Sequence, residues 1–244
     1  MSPFGRILRT ESKLFLRDPA AVITTIAMPT VILVILGLIP ALRETDEKFG
    51  GQSFLTYFLP SLLVFSLAVA GVNLMPQALA GYRERGVLRR LATTPASPAA
   101  LLAAQLVVHL LAMLVSAVLL ITVGIVAFDV PGPKNPVGFA VTFVLGIGSL
   151  LAIGLLVAAV APSARAAGGL AGVLFMLIMF FGGVYLPRFL LPDFLNRIGA
   201  YLPPGVQALF DSWAGGSPQP VHLAIMAGVA LAAGTAAAKL FRWQ

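Results

Sequence analysis

Six long apolar segments determine what this chain of 244 residues can fold into. Each is long enough for a helix that crosses the hydrocarbon core of a membrane, which takes about 20 mostly apolar residues. They cover residues 20–42, 54–80, 98–128, 137–161, 166–186 and 221–240. Only 10% of the residues are charged, against about a quarter in a soluble domain. We therefore predict an all-α, polytopic membrane protein, with six transmembrane helices in a single domain over residues 1–244.

Lysine and arginine lie mainly on one side of these segments. Residues 1–19, residues 81–97, the turn at 162–166 and the C-terminal tail together hold 11 of them, and the loops on the other side hold 5. Loops rich in these residues stay in the cytoplasm, which predicts that both termini are cytoplasmic. The net charge of +7 then reflects orientation, and we expect no nucleic-acid partner.

Residues 2–19 predict an amphipathic helix that lies in the membrane interface. Its basic face consists of Arg6, Arg9, Lys13 and Arg17. Its other face is apolar apart from Glu11, which we expect either to pair with basic groups of the bundle or to reach solvent at the membrane surface. The sequence Arg17-Asp18-Pro19 ends this helix, because the residue before a proline disfavours helical geometry.

A basic segment at residues 81–97 separates the second and third apolar runs. Within eight residues it holds Arg83, Arg85, Arg89 and Arg90. On a continuous helix, Glu84 would lie in the middle of the apolar stripe formed with Leu88 and Leu91. Two interpretations remain open: a loop kept basic for orientation, or a helix at the membrane surface that docks a soluble partner.

The segment between the fifth and sixth apolar runs is too apolar for a solvated loop and too rich in proline to span. We predict one or two short helices that re-enter the outer leaflet over residues 187–204. The prolines that would shape this outer gate are Pro187, Pro192, Pro203 and Pro204. Irregular backbone at that depth needs protein or water around it. The alternative is an amphipathic loop on the outer surface.

Polar residues inside the spans are candidates for a translocation path. Asn73 and Gln77, and likewise Gln105 and His109, are four residues apart and share a helix face. They would line the path or form hydrogen bonds between helices. The apolar residues Phe175, Met179 and Phe180 would form a wall for a lipophilic substrate or contact lipid.

Several kinds of chemistry are not expected. The chain has no cysteine and two histidines, so we predict no metal site. It has no G-x-x-x-x-G-K-[ST] phosphate loop, so any ATP would be bound by another polypeptide. A membrane enzyme would need a cluster of Asp, His or Ser near one interface, and an ion-driven secondary transporter would need acids inside the spans. Neither pattern is present, although the secondary transporter stays an alternative.

Three motifs carry a resemblance to a known family. The first is Glu84-Arg85-Gly86-Val87-Leu88-Arg89-Arg90-Leu91 with Thr94-Pro95-Ala96-Ser97, the second is Gly182-Gly183-Val184-Tyr185-Leu186-Pro187 with the prolines after it, and the third is Arg17-Asp18-Pro19. In this order, spaced by six spans, they resemble the ABC-2 (type V) family of ATP-binding-cassette exporter permeases over essentially the whole chain. The short length and the lack of a large outer domain look most like antibiotic-resistance permeases of the daunorubicin-exporter kind, and exporters of lipid-linked polysaccharide share the topology.

The resemblance implies a transport subunit of a bacterial plasma membrane that exports a lipophilic substrate from the cytoplasm or the inner leaflet. It also implies partners: two copies of a cytoplasmic ABC ATPase, which would bind ATP and Mg, and a second permease subunit, identical or related. This chain itself would bind no cofactor and catalyse no reaction. Residues 81–91 would contact the ATPase, residues 2–17 would form the connecting helix beside them, and residues 187–204 the outer gate.

Overall fold

The computed structural model describes residues 3–91 and 98–241, without the Arg89 side chain. Its helices, in chain order, are α1 (Pro3–Leu16), α2 (Pro19–Gly37), α3 (Phe54–Glu84), α4 (Val87–Leu91), α5 (Pro98–Phe128), α6 (Pro136–Val160), α7 (Ala164–Phe181), α8 (Asp193–Ala200), α9 (Val206–Ala214) and α10 (Pro220–Leu240). By length and composition, α2, α3, α5, α6, α7 and α10 could cross a membrane. The prediction of an all-α protein with six spans is confirmed.

Side-chain caps explain where four of the spanning helices begin. Each cap residue accepts a hydrogen bond from a backbone N–H in the first turn, which that turn cannot satisfy by itself. The caps are Asp18, Ser53, Asn135 and Ser163, before α2, α3, α6 and α7 respectively. All four belong to the residue types that favour this position.

The ends of three spans differ from the predicted ones. The first was expected to run over residues 20–42, but α2 ends at Gly37 and a 3-10 turn, Pro40–Leu42, follows. Pro40 forces Ile39 into an extended conformation, which ends the helix. A two-stranded hairpin, β1 (Thr45–Asp46) and β2 (Gln52–Ser53), then leads to α3. The second span was expected to stop at residue 80, but α3 continues to Glu84. The fifth was expected to run over residues 166–186, but α7 ends at Phe181.

Helix α3 lies at the centre of the bundle. Leu59, Leu62, Leu63 and Leu67 are fully buried. Helices α5, α6 and α7 pack around it, α10 packs on α6, and α1 packs across α5. Consecutive spans alternate in direction. Residues 3–16, 85–91, 161–163 and 241 therefore share one end of the bundle, the terminal end, and residues 38–53, 129–135 and 182–219 share the opposite end.

A wide, π-helical turn brings α3 close to α6. This turn, Val69–Leu74, precedes Pro76, which cannot donate a hydrogen bond to the turn before it. Gly71 lies in the wide turn, and its carbonyl oxygen sits where a Cβ atom on Gly154 of α6 would be. The two backbones are therefore in direct contact.

The segment at the opposite end contains more helix than the sequence predicted. Residues 187–204 hold a 3-10 turn, Arg188–Leu190, and helix α8. Helix α9, Val206–Ala214, was not predicted, and it packs on α3 and α6 with Leu209 and Trp213 buried. The re-entry of residues 187–204 into the membrane stays a prediction.

Candidate functional site

Arg83, near the end of α3, binds the C-terminus of α6. Its Nη1 donates to the carbonyl oxygens of Ala158 and Ala159 at 3.1 and 3.4 Å, and its Nη2 donates to that of Ala161. The last carbonyls of a helix lack partners inside it and carry its negative dipole end. The guanidinium therefore donates hydrogen bonds to these carbonyls, and its positive charge complements the negative end of the helix dipole.

Glu84, the next residue, binds the N-terminus of α7. Its Oε1 accepts a hydrogen bond from the Ala164 backbone N–H at 3.0 Å, while the Ser163 hydroxyl accepts one from Ala166. A carboxylate suits the positive dipole end of a helix. Two adjacent residues of opposite charge thus hold the two helix ends that flank the turn at residues 161–163. We call Arg83 and Glu84, with Ala158, Ala161 and Ala164, the α6–α7 clamp.

Gly86 separates α3 from α4, so the basic segment is not the continuous helix assumed from the sequence. Its φ of +67° lies in the left-handed region, which L side chains rarely adopt. The helical period stops there, so the expectation that Glu84 shares an apolar stripe with Leu88 and Leu91 was wrong. Leu88 is buried, and Glu84 is exposed beside α7.

Two other predicted arginines are exposed at this end. The guanidinium of Arg85 lies 5.4 Å from the ring centroid of Tyr82, and Arg90 follows on α4. The predicted Arg89 side chain and the Thr94-Pro95-Ala96-Ser97 part of the motif lie outside the described residues. The basic side chains of Arg6, Arg9 and Lys13 on α1, and of Arg17 directly after it, are all exposed.

A buried carboxylate joins α1 to the bundle. Glu11 is 6% exposed, and its Oε2 accepts hydrogen bonds from the Tyr82 hydroxyl at 2.8 Å and from the Gln105 amide at 2.5 Å. These partners are uncharged, so neither expected outcome, a basic partner or solvent, describes it. Burial raises the pKa of the Glu11 carboxyl, and the two hydrogen bonds oppose that rise. One acid thus connects α1, α3 and α5.

A cavity of about 300 Å³ lies next to this carboxylate. Three residues of the predicted path line it, Gln77, Gln105 and His109, together with Tyr82 and apolar residues that include Leu14, Phe15 and Leu74. His109 Nδ1 is 2.9 Å from the Gln105 carbonyl oxygen, and its ring meets Phe15 edge to face at 5.8 Å. The cavity wall therefore combines two carboxylates, those of Glu11 and Asp18, with two amides, an imidazole and aromatic side chains.

Other predicted path residues are not part of this cavity. Asn73 receives two hydrogen bonds from Gln77, at its side-chain and backbone oxygens, so this pair interacts within α3. Met179 is fully buried, Phe175 packs edge to face on Phe65, and Phe180 on Phe181. At the opposite end Pro204 is buried, Pro187 and Pro203 are half-buried and Pro192 is exposed.

Six helices that could cross a membrane define a polytopic membrane protein, and its family match makes it the transmembrane subunit of a transporter, a permease. The chain belongs to the ABC-2 type transporter family, whose model matches residues 3–206. The resemblance seen in the sequence is thereby confirmed. Permeases of this family work with an ABC ATPase subunit, and they are transmembrane subunits rather than enzymes.

One similar protein comes from Bacillus subtilis (strain 168) and is named "Putative transport permease YvfS". It is 23% identical to this chain over 194 residues. The aligned part covers 79% of this chain and 77% of that protein, so the likeness extends over most of both.

Proposed function

We propose that this chain is the permease subunit of an ATP-driven exporter in a bacterial plasma membrane. It moves a lipophilic substrate out of the cytoplasm or the inner leaflet. Two copies, or this chain and a related permease, combine with two copies of a separate ABC ATPase that binds ATP and Mg. The distribution of lysine and arginine supports a cytoplasmic terminal end, where the ATPase docks and where both termini lie.

The α6–α7 clamp is the observation that carries this proposal. Arg85 and Arg90 offer an exposed basic surface directly after the clamp, at which a soluble subunit can push. Because Arg83 and Glu84 bind both α6 and α7, a displacement of the end of α3 moves all three helices. Such rigid-body movement is how a two-state transporter changes the side to which its path opens.

The cavity beside Glu11 supports entry of the substrate at the terminal end. Its volume of about 300 Å³ is at the lower limit of pockets that hold small molecules. Apolar side chains from α1 and α3 line it, which suits a lipophilic molecule, and the polar groups of Gln77, Gln105 and His109 would orient it. Antibiotics and other amphiphiles fit this description.

The experiment is reconstitution of the permease with its ATPase in liposomes, with efflux of a lipophilic fluorescent dye and ATP hydrolysis as readouts. We expect Arg83→Gln and Glu84→Ala each to lower ATP-dependent efflux by roughly tenfold or more, since each removes charge-assisted hydrogen bonds of the clamp. Arg43→Gln, an exposed arginine at the opposite end, is the matched control and should transport normally.

Two results would contradict the proposal. Normal efflux by both clamp variants would show that force does not pass through Arg83 and Glu84. Efflux by the permease alone, insensitive to ATP but abolished by an uncoupler, would identify an ion-driven transporter instead. Membrane insertion and the unfolding temperature of each variant are measured alongside, so that a folding defect is not mistaken for a coupling defect.

A further inference from the structure

A buried arginine lies at the opposite end of the bundle, far from the clamp. Arg188 is 7% exposed, and its Nη2 donates to the Gln207 side-chain oxygen at 2.6 Å. Its guanidinium sits 5.2 Å from the ring centroid of Phe210. The Nε–H is buried and has no hydrogen-bond partner among the residues that the structure describes. An unmet donor on a buried cation is costly, which points to a missing acceptor.

The charge of Arg188 is balanced indirectly. Asp211 accepts a hydrogen bond from Gln207 Nε2 at 2.6 Å, so its carboxylate reaches the arginine through the Gln207 amide. Burial lowers the pKa of Arg188, and Tyr57 and Asp211 oppose that change. A guanidinium nevertheless stays charged in a protein. The pocket thus contains a cation, and the Asp211 carboxylate is linked to it through the Gln207 amide.

A second unmet polar atom belongs to Asn196. Its Nδ2 donates to the carbonyl oxygens of Arg188 and Leu191, at 2.9 and 3.1 Å, which fixes the orientation of the amide. Its Oδ1 is buried, and no described residue donates a hydrogen bond to it. Asn196 and Arg188 line one cavity of about 330 Å³, together with Tyr57, Gln207 and two phenylalanines. Two residues that line this cavity thus each have an unused polar atom, a donor on Arg188 and an acceptor on Asn196.

Exposed apolar side chains lie on the segments that form this cavity. Phe189 lines it and is 43% exposed. Leu190, Phe194 and Ile198, on the adjoining turn and on α8, are 56%, 62% and 49% exposed. Such a surface suits hydrocarbon chains rather than water. The cation is thus held in an aromatic pocket beside a surface suited to lipid.

We propose that this pocket is a binding site for an oxyanion, a phosphate or a carboxylate, carried by an amphiphile. The guanidinium donates hydrogen bonds to the oxyanion, and the phenylalanine rings pack against the hydrocarbon chain of the amphiphile. Asn196 Oδ1 accepts a hydrogen bond from a hydroxyl, an ammonium or a water next to the anion. Arginine suits this task because its donors form a planar fork that matches carboxylate and phosphate. The site does not depend on ATP, on the clamp or on which molecule is exported.

Binding to the purified full-length chain in an uncharged detergent tests the proposal. The probes are octyl phosphate, octanoate and inorganic phosphate, with octyl glucoside as an uncharged amphiphile. Titration calorimetry and the unfolding temperature are the readouts. We expect saturable binding of octyl phosphate or octanoate. Binding should be about tenfold or more weaker in Arg188→Gln, which keeps hydrogen-bonding capacity but loses the charge.

Two further variants sharpen the test. Asp211→Asn removes the nearby negative charge with little change of shape, so oxyanion binding should become about threefold tighter. Arg197→Gln, an exposed arginine on α8, should bind like the wild type. Because the affinity for the oxyanion is expected to rise in Asp211→Asn, this variant tests the proposal even if Arg188→Gln does not fold.

The possible outcomes distinguish an anion carried by an amphiphile from a free anion. They also distinguish support for the proposal from its refutation. Octyl phosphate or octanoate binding without inorganic phosphate binding identifies an amphiphile, and equal binding of inorganic phosphate identifies the free ion as a sufficient ligand. The proposal is overturned if the wild type binds none of the three anions saturably. Unchanged affinity in both Arg188→Gln and Asp211→Asn, or octyl glucoside binding as well as the anions, overturns it too.

Discussion

At the scale of single residues, Gly86 combines a required backbone conformation with open space. Its φ is +67°, and a Cβ atom there would meet no atom of the described part of the chain within 4 Å. The objection to a side chain is therefore strain in the backbone, about 1–2 kcal/mol for most residues, and less for asparagine, which tolerates this region.

This predicts an order of activities at position 86. Gly86→Pro should abolish ATP-dependent efflux because proline fixes φ near −65°. The orientation of α4 relative to the clamp would then change. Gly86→Ala should reduce efflux several-fold, and Gly86→Asn should retain most of the wild-type efflux. All three should insert normally. Dye efflux and ATP hydrolysis in liposomes are the measurements, and full activity of the proline variant would refute the role given to this turn.

Glu11 predicts a pH dependence of stability. Burial raises its pKa above the ordinary value of 4.5, so the folded state holds the proton more tightly than the unfolded state. Stability must then fall as the pH rises from 4.5 through the raised pKa. Glu11→Gln has no carboxyl to titrate and can still accept hydrogen bonds from Tyr82 and Gln105. Its unfolding temperature relative to the wild type should therefore be higher at pH 8 than at pH 5.

The control for this prediction is Glu44→Gln, an exposed glutamate at the opposite end. Its unfolding temperature should follow that of the wild type across the same pH range. If the Glu11→Gln curve also runs parallel to the wild-type curve, the carboxyl does not titrate differently in the folded state and the burial argument fails.

At the scale of helices, the contact between α3 and α6 depends on Gly154. A methyl group there would overlap the Gly71 carbonyl oxygen, and backbone cannot move aside as a flexible side chain can. Gly154→Ala should therefore lower the free energy of unfolding by about 1–3 kcal/mol. Gly148, on the same helix, has open space, so Gly148→Ala should be neutral or slightly stabilising. Thermal unfolding in detergent compares the two, and equal midpoints would disprove the close approach.

The helices that the sequence predicted correctly are those whose signals are local. A span is recognised from its own composition, and Asp18, Ser53 and Ser163 cap helices within three residues of themselves. The break at Gly86 was missed because a glycine is compatible with both a helix and its end. Helix α9 was missed because residues 206–214 are too short and too mixed in polarity to span.

The contacts of the candidate site were beyond sequence reasoning because they join distant parts of the chain. Arg83 and Ala158 are 75 residues apart, Glu84 and Ala164 are 80, and Glu11 and Gln105 are 94. A buried acid signals that donors must be near, but packing decides which helix supplies them. Tyr82 was therefore overlooked as a partner, although it lies within the segment singled out for coupling.

At the scale of the whole molecule, α3 connects the two sites described above. Tyr57, near its first turn, lines the Arg188 pocket, and Tyr82, Arg83 and Glu84 occupy its last turn. Between them its leucines are buried against the surrounding helices. In the proposed exporter, a helix held along its length in this way would carry displacement from the terminal end to the opposite end.

The orientation of the bundle yields the last prediction. The proposed function requires the terminal end to face the cytoplasm, because ATP is there. The chain has no cysteine, so one introduced cysteine is a unique label. Lys48 and Arg165 are both exposed, Lys48 at the opposite end and Arg165 in the first turn of α7 at the terminal end. In intact cells a membrane-impermeant maleimide should label Lys48→Cys and leave Arg165→Cys unlabelled. After permeabilisation both should react. The reverse pattern would put the clamp outside the cell, where no cytoplasmic ATPase could reach it.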